Sequence, residues 1–86
     1  MPEISRFLGI VIRIYRDEHP PPHFHAIYNE FTAQISIRPA CIIQGKLPPR
    51  ILGYVTEWAN LHQDELVACW LAAQTDQPVS KIDPLV

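Results

Sequence analysis

Glycine is scarce in this 86-residue chain, and no glycine-rich run follows a strand. Gly9, Gly45 and Gly53 stand apart, so folds that cradle phosphate in a Gly-rich loop drop out. HExxH and GxSxG are also missing, which removes the common zinc-protease and serine-hydrolase readings. The two cysteines, Cys41 and Cys69, form no CxxC pair. That argues against a zinc ribbon or a disulfide scaffold and fits a reducing compartment, with both thiols as small packing residues. The most apolar run, Phe7 to Tyr15, contains Arg13 and falls far short of the ~20 residues that span a bilayer. No signal-peptide pattern is present, so a cytoplasmic location away from membranes is expected. A strong charge of either sign is lacking too. The net charge is −2, with +2 in residues 1–50 (six Lys/Arg, four acids) and −4 in residues 51–86 (one Lys, five acids). High-affinity nucleic-acid binding is therefore disfavoured, and a small protein partner or self-association is the better expectation.

What remains is globular composition, 48% hydrophobic and 19% charged, in a length that allows one domain (1–86) with a modest core. Period-two patterns predict three strands. The first runs over about 7–15, with Leu8, Ile10, Ile12 and Ile14 on one face. The second and third run over about 23–29 and 31–38, joined by a tight turn at Asn29-Glu30. That turn pairs Tyr28 with Phe31, Ala26 with Ala33 and Phe24 with Ile35 on an apolar face. Ile27 with Thr32, His25 with Gln34 and His23 with Ser36 fall on the other. Pro39 to Lys46 reads as a connection in which Cys41-Ile42-Ile43 could extend a strand.

Beyond Pro48-Pro49, a proline pair suited to a helix start, the period becomes helical. Two helices over about 49–61 and 63–75 are expected, because one unbroken helix would be ~40 Å long against a strand of ~30 Å. Asn60 or Asp64 would cap the second. Residues 79–82 could add a short edge strand. The fold class is α+β: a three-stranded antiparallel meander packed on one face by two C-terminal helices, with Trp58 and Trp70 in the core and His62 at a helix end.

The candidate site is Asp17-Glu18-His19-Pro20-Pro21-Pro22-His23-Phe24-His25. His23 and His25, two apart on a strand, share a face with Cα atoms roughly 6.5–7 Å apart, close enough to converge on one ion. Asp17, Glu18 or His19 could supply a third ligand from the loop, and His23, His25, His19 and Asp17 form the leading metal set. Zinc or another divalent metal suits imidazole and carboxylate donors. The triple proline is expected as a stiff polyproline II strut. Without metal, His23 and His25 could act as an acid/base pair. Arg13, Tyr15, Gln34, Ser36 and Arg38 are predicted on the same face as candidate ligand-binding residues. The plainer reading is that these groups are the solvated side of a sheet and the histidines simply hydrogen-bond Gln34 and Ser36.

Several segments also resemble a known family. Ile4-Ser5-Arg6-Phe7, Asp17-Glu18-His19, Pro21-Pro22-His23-Phe24-His25, Gly45-Lys46-Leu47-Pro48, Trp58-Ala59, Leu61-His62, Trp70 and Lys81-Ile82-Asp83-Pro84-Leu85 are similar to the small bacterial domain of unknown function 4160. Pro20 departs from the polar residue that similar sequences carry there. The resemblance implies a compact stand-alone bacterial protein, and an interaction module in a two-gene, toxin–antitoxin-like arrangement. The alternative from the residues is a small metal-dependent or histidine acid/base enzyme acting on a phosphodiester or nucleotide.

Overall fold

A computed structural model describes residues 2–86. Five antiparallel strands form a meander in the order β1-β2-β3-β4-β5: β1 (Glu3–Phe7), β2 (Ile10–Arg13), β3 (His23–Tyr28), β4 (Phe31–Ser36) and β5 (Ile42–Gly45). Two helices follow, α1 (Pro49–Leu61) and α2 (Gln63–Gln74).

The expected first strand is instead the second half of a hairpin. Leu8 and Gly9 take φ 51° and 77°, and Phe7 pairs with Ile10 across them. Positive φ at both central residues is the geometry whose twist matches a two-residue hairpin. Leu8 therefore leaves the apolar face and is 48% exposed, while Ile10, Ile12 and Ile14 are fully buried. The central hairpin has the register read from the sequence, from Tyr28 opposite Phe31 to His23 opposite Ser36, with Asn29 at φ 51°.

The connection after β4 carries a fifth strand. Gln34 pairs with Gln44 and Ile35 with Ile42, so Ile43 is an extra residue that breaks the alternation. Gly45, at φ 82°, closes the strand where a Cβ would run into the Thr32 carbonyl oxygen. Residues 79–82 form no strand, although Ile82 is buried and donates its backbone N–H to Ile4 O of β1 at 2.8 Å.

The helix break falls at His62, whose φ/ψ of −125°/34° leave the helical region. Neither Asn60 nor Asp64 caps α2, which has no side-chain cap. Its start is instead stabilised by Asp64 and Glu65 in the first turn, next to the positive end of the helix dipole. His62 Nδ1 lies 2.6 Å from Glu65 Oε1.

Trp58 of α1 is fully buried and packs on Phe7 and Phe24, with ring centroids 5.5 and 5.8 Å apart. Side chains alternate along a strand, so His23, next to Phe24, faces the other way. It meets α2 there: its ring lies 5.2 Å from Trp70. Gln63 Nε2 also donates to Ile37 O, and Gln74 Nε2 to Glu18 O at 3.1 Å. The second helix thus holds the end of the sheet at which the histidine motif sits.

Candidate metal centre

β2 ends at Arg13 and the chain turns back through Arg16-Asp17, with Asp17 at φ 58°. Aspartate is among the few residues that tolerate this left-handed backbone. Arg16 is tied to Asp76 beyond α2 at 2.6 Å, and Gln74 holds the next carbonyl. Glu18 then lies against the histidines, while Asp17 and His19 are exposed. The Pro20–Pro21 bond is cis, so the triple proline is not the all-trans polyproline II rod expected from its sequence.

Glu18, His23 and His25 each present one ligand atom, and the three atoms lie within 4.8 Å of one another. His25 Nε2 is 2.7 Å from Glu18 Oε1, and His23 Nε2 is 3.3 Å from Glu18 Oε2. The two contacts differ in kind. A carboxylate only accepts, so His25 donates a proton in the shorter one. His23 instead donates from Nδ1 to the Pro21 carbonyl at 2.8 Å, which puts the proton of the neutral ring on that nitrogen. In that tautomer Nε2 carries the lone pair; the atom is buried and makes no hydrogen bond, with the Glu18 carboxylate 3.3 Å away. His23 as a whole is only 4% exposed. With a neutral His23 ring two electron-rich atoms face each other there, a contact that a second proton on His23 or a cation would turn into an attraction.

A cation between them would be attracted by both. Ligating histidines usually give their second ring N–H to a backbone carbonyl or carboxylate, which is what Pro21 accepts from His23. Ligands at ~2.0–2.2 Å from a tetrahedral ion sit ~3.3–3.5 Å apart. The His23 Nε2–Glu18 Oε2 separation of 3.3 Å is of that size, the His25 Nε2–Glu18 Oε1 separation of 2.7 Å is shorter, and all three ligand atoms lie within 4.8 Å of one another. The ion would replace the proton that His25 now shares with Glu18. Two imidazoles and a carboxylate suit zinc or iron(II)-like divalent ions and leave coordination positions open.

The other predicted residues divide. Tyr15 packs edge-on against the His25 ring at 4.3 Å and helps fix its plane. Arg13 stands opposite His25 on β2 and opposite Glu3 on β1. Gln34 stands opposite His25 on β4 and lines a groove of about 300 Å³ with Glu18, His19 and His23. Ser36 is buried and donates to Pro39 O, and Arg38 reaches α2, bonding Gln63 and Asp64 at 2.9 and 2.8 Å. Those two are drawn into the scaffold. Cys41 is exposed, whereas burial pushes the Cys69 thiol above its ordinary range, with Glu65 adding to the shift.

Fold and site together define a small α+β domain that carries a histidine–carboxylate cluster on a five-stranded meander. Among families of known sequence, the chain belongs to Domain of unknown function (DUF4160), whose model matches residues 9–71, well over half of it. No curated protein and no solved structure matches it significantly. No helix among the described residues is long and apolar enough to cross a membrane.

Proposed function

We propose that this protein binds one divalent metal ion through Glu18, His23 and His25, and that the ion is its functional centre. The observation that supports this most is His23 Nε2. It is buried and unpartnered, its tautomer is set by Pro21, and it points at a carboxylate. A histidine kept only for structure would be expected to find a donor for that lone pair, because an unsatisfied buried polar atom costs about 1–3 kcal/mol. Metal analysis of protein prepared without a histidine tag tests the reading. The expected result is close to one equivalent of zinc or iron in the native chain and a near-complete loss in His23→Ala. Equal trace metal in both would end it.

A second reading, an interaction module of a two-gene system, draws on a different feature. β5 pairs only with β4, and Ile42-Ile43-Gln44-Gly45 carries no charge to protect its outer edge. Such an edge is a template for a strand from another chain. Pull-down with the product of an adjacent gene at physiological salt should recover a complex that Ile43→Lys weakens. Recovery no better than from a beads-only control counts against it.

A further inference from the structure

The groove beside the histidines has a definite chemistry. The bulge in β5 releases Ile43 from the ladder, leaving it 43% exposed, and Ile43 forms one wall of the groove. Bulges often re-aim a side chain next to a functional site. Gln34 and Gln44 are direct cross-strand partners and both line the same groove, so their carboxamides stand side by side. Each offers two donors and an acceptor.

The two arginines among the candidate ligand-binding residues do not line the groove. Arg38 is engaged by Gln63 and Asp64, and Arg13 sits on the opposite side of His25, across from Glu3. Neither lines the groove, nor does any lysine. Phosphodiesters and nucleotides are normally held by guanidinium or ammonium groups, and without the proposed ion this groove offers only the Glu18 carboxylate and two imidazoles. Its volume of about 300 Å³ is at the small end for ligand pockets.

We propose that the groove takes a small uncharged carboxamide. Its N–H and C=O pair with Gln34 and Gln44, and its apolar substituent lies on Ile43. The proposal rests on the metal reading only in that the ion would be the ligand's further contact, so the two are tested apart.

Benzamide and inorganic phosphate serve as probes, titrated into cobalt(II)-loaded protein and, in parallel, into the chain as purified. Side-chain amide signals of Gln34 and Gln44 are followed by NMR in the chain as purified, and the cobalt absorption band in the loaded form. Benzamide should shift both glutamine signals saturably, and Gln44→Ala should weaken it about tenfold, the value of one or two lost hydrogen bonds. Phosphate should leave them unmoved. Phosphate that moves the glutamine signals in place of benzamide overturns the proposal, as does benzamide binding that Gln44→Ala leaves unchanged. Absence of a cobalt band before any probe is added tells against the metal reading alone, and the glutamine signals still decide the ligand class.

Discussion

Three adjacent loop residues, Asp17, Glu18 and His19, all carry metal-ligating side chains and have different fates. Asp17 takes the left-handed turn and is exposed; His19 is exposed at the groove; Glu18 alone reaches both imidazoles. Glu18→Gln should therefore cost 10–100-fold or more in metal affinity, while Asp17→Asn and His19→Ala leave metal content near native. Zinc titration against a competing chelator measures all three. The histidine pair was legible from its spacing of two on a strand. The identity of the carboxylate was not, because parity gives no guidance through a turn and a cis proline bond.

At the level of elements, alternation was reliable within strands and blind at their ends. His23–Tyr28 against Phe31–Ser36 followed the sequence because both faces are patterned and a tight turn sets the register. The break at Leu8-Gly9 escaped because Leu8 keeps the apolar alternation although its side chain is exposed. β5 escaped for the opposite reason, since its bulge destroys the period. Leucine at φ 51° is a poor choice for a turn in which Asn-Gly is favoured. Leu8→Asn should stabilise the protein by about 0.5–1 kcal/mol, read as a higher urea midpoint at unchanged slope. A lower midpoint would mean that Leu8 contributes packing that outweighs its backbone conformation. The helix break was legible from length alone, and its caps were not: His62, rather than Asn60 or Asp64, occupies the junction.

Over the whole molecule, one buried cluster runs from Ile4 to Ile82 and joins every strand from β1 to β4 with both helices. Composition and length pointed to that single modest core, and the five-strand count needed the turns. The two edges of the sheet are unlike. The tail is fastened to β1 by Ile82 N–H to Ile4 O and to α1 by the Trp58 indole to Asp83 O at 2.8 Å, whereas among the described residues β5 has no such cover. A sheet with two bare edges can accept chain after chain and grow into a fibre. This one has a valence of one. Strand addition at β5, if the proposed recognition occurs there, would be complete after a single event, whether the incoming strand belonged to another protein or to a second copy related by a twofold axis. A tail fastened at β1 would keep such recognition at β5 from propagating into a polymer.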